Sequence, residues 1–131
     1  MKSAEEMRLA AARAMGRAYA PYSKFPVGAA VEDENGKLHA GANVECVAYP
    51  LGSCAEATAL GHMVMAGGTR VLQVAVIAER MDRVTPCGGC RQRLAEFGGP
   101  GTLVHLCDAS RVVETVRLGE LLPHGFSAEL T

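Results

Sequence analysis

Val71-Leu72-Gln73-Val74-Ala75-Val76-Ile77-Ala78 is the longest apolar run in the chain, and how it is read decides the fold. One glutamine interrupts it, and it falls far short of the roughly 20 residues a membrane-spanning helix requires. It therefore reads as a buried strand. Upstream, Ser53 can cap a helix running from Cys54 to about Ala66, where Gly67-Gly68 stops it. Downstream, Pro86 opens a second helix carrying Leu94 and Phe97, closed by Gly98-Gly99-Pro100-Gly101. Farther out, Val27 to Val31 and Leu38 to Val44 read as strands joined through Glu34-Asn35-Gly36-Lys37, whose Asn-Gly indicates a tight hairpin. Thr102 to Cys107 and Val112 to Val116 are two more strands, too closely joined for a helical crossover and so expected antiparallel. At the beginning, Ser3 and Glu6 form a capping-box pattern. Met7, Ala11, Ala14, Met15, Ala18 and Tyr19 then share one side of a helix expected to end near Ala20. The order is helix, two strands, helix, strand, helix, two strands and an irregular tail from Leu121, which favours a mixed sheet with helices on both faces.

Composition sets the bounds. The 131 residues are 49% hydrophobic and 21% charged, without an internal repeat or linker, so a single domain over residues 1–131 is expected. Such a chain buries one core and a modest pocket, which self-association can complete. Thirteen basic against 14 acidic residues give a net charge of -1 and leave no Lys/Arg block to neutralise a phosphate backbone, so small neutral substrates fit better than nucleic acid. Glu5 and Glu6 near the start, and no long apolar run there, argue against a secretory signal. The cytoplasm is the expected compartment, with no membrane partner.

Five cysteines form an odd set, and two stand as Cys87-Gly88-Gly89-Cys90. A Cys-x-x-Cys alone is ambiguous between zinc, thiol redox chemistry and coincidence. Cys54-Ala55-Glu56 changes the balance, because it opens the other expected helix and both helix starts can face one point beyond the strand ends. Three thiolates can then share one ion, with amide-rich helix starts favouring deprotonated sulfur. Three protein ligands on zinc leave a fourth tetrahedral position for water, the catalytic rather than the closed pattern. Glu56 is differently directed from Cys54 and can reach that water for proton transfer. The bland alternative is a capping box in which Glu56 turns back to the Ser53 amide.

Cys54-Ala55-Glu56 with Pro86-Cys87-Gly88-Gly89-Cys90-Arg91-Gln92 resembles the zinc-dependent cytidine deaminase family, in its small homotetrameric three-cysteine branch. Phe25-Pro26-Val27-Gly28-Ala29-Ala30, Gly41-Ala42-Asn43-Val44-Glu45, Ala48-Tyr49-Pro50 and Glu120-Leu121-Leu122-Pro123 followed by Phe126 extend the likeness over nearly the whole chain. The resemblance implies a three-layer α/β/α fold with a mixed five-stranded sheet, and one zinc ion per subunit on Cys54, Cys87 and Cys90. It implies that Glu56 shuttles protons, that Asn43 and Glu45 hydrogen-bond the ribose hydroxyls, and that Phe25 packs beside the pyrimidine. Ala55 would also contact substrate, and Phe126 would approach it from another subunit of a homotetramer. The implied reaction is hydrolytic deamination of cytidine and 2'-deoxycytidine to uridine and 2'-deoxyuridine, with release of ammonia.

Two other readings stand beside it. Deamination of a cytosine-containing antibiotic nucleoside such as blasticidin S would use the same zinc segments, but Asn43-Val44-Glu45 and Ala48-Tyr49-Pro50 favour ordinary nucleosides. A noncatalytic zinc-stabilised interaction protein would explain three cysteines without explaining Glu56. The chain also departs from the family pattern. Ala57 stands where the family often has an arginine directed at ligand sulfur, leaving Arg91 and helix amides as candidate compensators. Cys46 replaces a frequent asparagine and is expected to serve loop or core packing. Arg91 and Gln92 are expected to support the metal-bearing helix and Arg93 to be a surface charge. Cys107 is expected to be structural, and His39, His62, His105 and His124 show no shared ligand spacing.

Overall fold

The computed structural model describes residues 1–128. Its elements are α1 (Ala4–Met15), β1 (Val27–Asp33), β2 (Leu38–Ala42), α2 (Ala55–Met65), β3 (Val71–Ala78), α3 (Gly88–Phe97), β4 (Leu103–Cys107), β5 (Val112–Arg117) and α4 (Leu118–Leu121), with one turn of 3-10 helix at Tyr49–Leu51. The strands lie in the order β2-β1-β3-β4-β5. Only β3 and β4 run parallel, since α3 carries the chain across between them, and the other neighbours are antiparallel. The sheet is thus mixed and five-stranded, as expected.

Alternation along the strands assigns the two faces. Ala30, Ala75, Ile77 and Cys107 point to one side and pack with Met7, Ala10 and Ala11 of α1. Ala29, Val31, Val74, Val76, Val104 and Leu106 point to the other and pack under Ala59, Leu60 and Met63 of α2 and Leu94 of α3. That is the three-layer α/β/α arrangement, with the helix starts of α2 and α3 on the same face. Two glycines set how closely the helices lie. A Cβ at Gly28 would stand 2.0 Å from the Ala11 carbonyl oxygen, and one at Gly41 would stand 2.4 Å from the Ala59 nitrogen. Backbone of α1 and α2 therefore rests directly on the sheet, and Gly41 fixes the height of α2.

Several boundaries differ from the sequence reading, for local reasons. The capping box of α1 forms, with the Glu6 amide donating to Ser3 Oγ at 3.1 Å and the Ser3 amide to Glu6 Oε1 at 3.3 Å. The helix ends at Met15 with Gly16 as its cap, not near Ala20. Tyr19 leaves it to pair with the chain beyond β2: its amide donates to the Asn43 carbonyl and its carbonyl accepts from the Glu45 amide, both at 2.9 Å. β2 stops at Ala42, because Val44 bridges Tyr19 and Ser53 instead. β1 runs on to Asp33, whose carboxylate accepts from the Asn35 and Lys37 amides and so shapes the expected hairpin around Gly36, at φ +79°. Ser53 is not a helix cap; that place belongs to Cys54. A short helix, α4, precedes the tail, and the end of that expected irregular tail, residues 129–131, lies outside the described residues.

Candidate active site

Cys54 and Cys87 occupy equivalent positions. Each is the extended residue immediately before a helix, with φ/ψ of -70°/157° before α2 and -64°/165° before α3. Neither side chain makes the usual capping hydrogen bond, so the two helix starts direct unpaired amides and their positive dipole ends toward the sulfurs. Cys90, one turn into α3, is fully buried and completes the group. The three Sγ atoms lie within 4.8 Å of one another, and Cys54 Sγ is 3.9 Å from Cys87 Sγ. A disulfide needs a far shorter separation of about 2.05 Å. Tetrahedral zinc with ligands at about 2.3 Å puts its sulfurs roughly 3.8 Å apart, so the donor set fits zinc in both chemistry and spacing.

Glu56 follows Cys54 into the first turn of α2 and is 4% exposed. It does not form the alternative capping box, since Ser53 Oγ turns to the Cys54 carbonyl and to Thr58 Oγ1. Burial pushes the Glu56 carboxyl above the usual carboxylate range, against the pull of its own backbone amide and the Arg93 guanidinium. Burial also raises the Cys90 thiol, with the Glu56 charge adding to the effect. At Cys87 burial is outweighed by the Cys90 backbone N–H and the neighbouring Cys90 and Cys54 side chains, which bring that thiol below its ordinary value.

A cavity of about 390 Å³ opens over this group and is lined by Phe25, Asn43, Glu45, Cys54, Ala55, Glu56 and Cys87, with Val27 and Val76 at its base. Its size suits a small organic molecule, with an apolar lining and a few converging polar groups. It sits where β3 ends and β1 begins, at the carboxyl end of a parallel strand beside helix starts. Asn43 is braced by the loop it faces: its Oδ1 accepts from the Val27 amide and its Nδ2 donates to the Phe25 carbonyl, each at 2.9 Å. Glu45 accepts from the Tyr22 and Ser23 amides and the Ser23 hydroxyl, bonds that hold its carboxyl below the usual range. Phe126 is not brought to this cavity. It is 79% exposed and lines a separate cleft with Ala95, Pro100 and Leu122.

The basic residues of α3 divide the two roles expected of them, helix support and charge near the sulfurs. Arg91 donates to the Pro86 carbonyl at 2.7 Å and the Leu121 carbonyl at 2.9 Å, so it ties α3 to its flanking segments. Arg93 is exposed, as expected of a surface charge, yet it also places Nη1 3.5 Å from Cys90 Sγ. Its spacing of three along a helix is the signal that could have found it. Cys46 lines a neighbouring cavity with Tyr22, Glu45 and Tyr49 and does not join the three sulfurs. Cys107 is buried against α1 as expected, its thiol raised to about 11 by burial. The histidines go elsewhere: His39 to Asp33, His62 to the Ala40 carbonyl, and His105 to Gln73 and Thr115.

Residues 1–107 match the family described as the cytidine and deoxycytidylate deaminase zinc-binding region. The chain belongs to this deaminase family. The cytidine deaminase of Sporosarcina psychrophila is 42% identical over 117 residues, covering 89% of this chain and 86% of that protein. In structure, the chain is similar to the cytidine deaminase of Burkholderia pseudomallei at a TM-score of 0.90 and 39% identity, over 95% of this chain and all of the other. The cytidine deaminase of Mycobacterium tuberculosis superposes at 0.87 with 38% identity, over 98% of this chain and all of the other. With these likenesses, the chain is a hydrolytic deaminase whose three-cysteine cluster can hold a metal ion.

Proposed function

We propose that this chain deaminates cytidine and 2'-deoxycytidine to uridine and 2'-deoxyuridine, with one zinc ion per subunit held by Cys54, Cys87 and Cys90. The observation that carries the reading is a buried carboxyl, Glu56, in the same cavity as Cys54 and Cys87, two of three sulfurs spaced for zinc. When bound, zinc supplies Lewis acidity that makes water nucleophilic near neutral pH. The chain's own groups do the rest. Glu56, with its carboxyl raised by burial, takes a proton from the attacking water and gives it to N3 of the cytosine. A second proton passes through Glu56 to the C4 amino group, so that ammonia leaves as the C4–N bond breaks and C4 keeps the oxygen. Phe25 and Val76 offer apolar surface to the base, Ala55 lies against it, and Asn43 and Glu45 face the ribose hydroxyls.

Residues 1–131 act in this reading as a single deaminase domain in the cytoplasm, on a free nucleoside and not on a nucleic acid strand. Among the described residues no helix is long and apolar enough to cross a membrane. The active form is a homotetramer with shared sites. Val47, Tyr49 and Leu51, each about three-quarters exposed, form an apolar edge beside the cavity that assembly would cover. Phe126, exposed and away from its own site, is available to a neighbouring one.

Ammonia release from cytidine, 2'-deoxycytidine, cytosine and blasticidin S, with zinc quantified in the same preparation, tests the reading. Turnover of the first two only is expected. Turnover of cytosine alone would remove the ribose roles of Asn43 and Glu45, and zinc-loaded protein inactive on all four would leave a metal-stabilised binding protein. Light scattering during chromatography tests the assembly, where a monomer would exclude shared sites.

A further inference from the structure

The metal centre proposed above gathers more negative charge than the ion cancels. Three thiolates exceed a dication, and Glu56 lies in the same cavity. The helix dipoles offset only part of this excess. Of the two arginines on α3 near the centre, Arg91 spends its guanidinium on the Pro86 and Leu121 carbonyls. Arg93 is the one that reaches sulfur, with Nη1 3.5 Å from Cys90 Sγ.

Arg93 reaches sulfur although a carboxylate is equally near in sequence. Glu96 is three residues on, a spacing that usually forms an ion pair, yet among the described residues no ion pair joins it to Arg93. Both side chains line the cleft between α2 and α3, together with Ala57 and Leu60. The short methyl of Ala57 leaves that cleft open beside Arg93. On the other side, Gly89 leaves the first turn of α3 bare, and a Cβ there would crowd Arg93 Nη1 at 3.3 Å. The guanidinium therefore folds back along its own helix into space left by two small residues, one on each metal-bearing helix.

We infer that Arg93 is the positioning residue that balances the charge of the thiolate cluster, acting on the metal through a hydrogen bond to Cys90. It touches neither substrate nor the reacting atoms. This inference rests on the zinc reading above, but its test does not depend on deamination. A hydrogen bond from a cation stabilises the sulfur lone pairs and strengthens net binding of a cluster that carries excess negative charge.

The experiment uses full-length protein reconstituted with Co2+, whose sulfur-to-metal charge-transfer band reports electron density on the ligand sulfurs. Arg93→Met is expected to move that band to lower energy and to weaken zinc against a competing chelator by roughly 10- to 100-fold. Arg93→Lys, which keeps the charge but not the planar fork, is expected to fall between the parent and the methionine variant. Circular dichroism of each variant establishes that α3 is intact. A methionine variant with parental band position and zinc affinity would overturn the inference. So would a lysine variant no better than methionine, because positive charge would then not be what acts. A parent protein that shows the cobalt band yet releases no ammonia would count against the proposed activity alone and leave the role of Arg93 standing.

Discussion

Glu56 and Asn43 both line the cavity, yet the structure gives them different burdens. Glu56 is buried with its carboxyl raised by that burial, so keeping it there costs desolvation. Replacing it with alanine should keep zinc at parental stoichiometry, since the three sulfurs remain, and lower kcat by roughly 10²- to 10⁴-fold. Metal analysis beside an ammonia assay checks this, and parental turnover in the zinc-loaded variant would take Glu56 out of the proton path. Asn43 joins the Val27 amide to the Phe25 carbonyl across the start of β1. Asn43→Ala should therefore lower the melting temperature as well as raise KM, because two backbone groups lose partners at about 1 kcal/mol or more each. A raised KM with an unchanged melting temperature would mean that the residue serves only the substrate.

At the scale of elements, the site exists because two helices begin beside the same strand end, and Gly41 governs one of them. Gly41→Ala would press a methyl into the Ala59 nitrogen and the Ala55 carbonyl oxygen, at 2.4 and 2.7 Å from its Cβ. Overpacking of this kind costs about 1–3 kcal/mol, and the relief available is to lift α2, which carries Cys54 away from Cys87. The expected result is a lower urea midpoint in metal-free protein together with weaker zinc binding. Unchanged zinc affinity in a destabilised variant would show that the α2 start is held by something other than its seat on β2. The sequence carried the information for these elements unevenly. The run at Val71–Ala78 and the two cysteine segments were legible because apolar periodicity and ligand spacing are local signals. The end of α1 was not, because Tyr19 continues the helical pattern and is drawn off only by partners at Asn43 and Glu45, far along the chain. Ser53 has the chemistry of a helix cap, but its backbone is engaged in a bridge to Val44, which leaves the cap to Cys54. Arg93 was legible only as a spacing of three after a cysteine on one helix, a pattern that an ordinary solvated face shares.

Across the whole molecule, the face of the sheet opposite the site holds a buried polar chain that ties the N-terminus to the strands. Lys2 donates its amide to Glu32 Oε1 at 3.0 Å, and Gln73 Nε2 donates to both Glu32 Oε1 and the Lys2 carbonyl at 2.7 Å. Gln73 Oε1 can then only accept, so His105 Nε2, 2.7 Å away, carries the proton and His105 Nδ1 accepts from the Thr115 hydroxyl at 2.8 Å. The neutral imidazole satisfies every bond, and burial lowers its pKa below the ordinary value of 6.5. The sign follows. The unfolded chain gains a proton at the ordinary value while the folded chain resists it, so stability from this group is complete above about pH 6.5 and declines as pH falls through the window beneath it. Carboxyls held below their ordinary values, Asp33 and Asp108 among them, lose their contributions only at more acidic pH. Urea denaturation at a series of pH values between about 7 and 5 should show the parent weakening and His105→Gln weakening less steeply. Zinc release by acid affects both proteins alike, so the difference between their two slopes isolates the histidine. Parallel slopes would mean that the imidazole takes its proton as readily in the folded sheet as outside it.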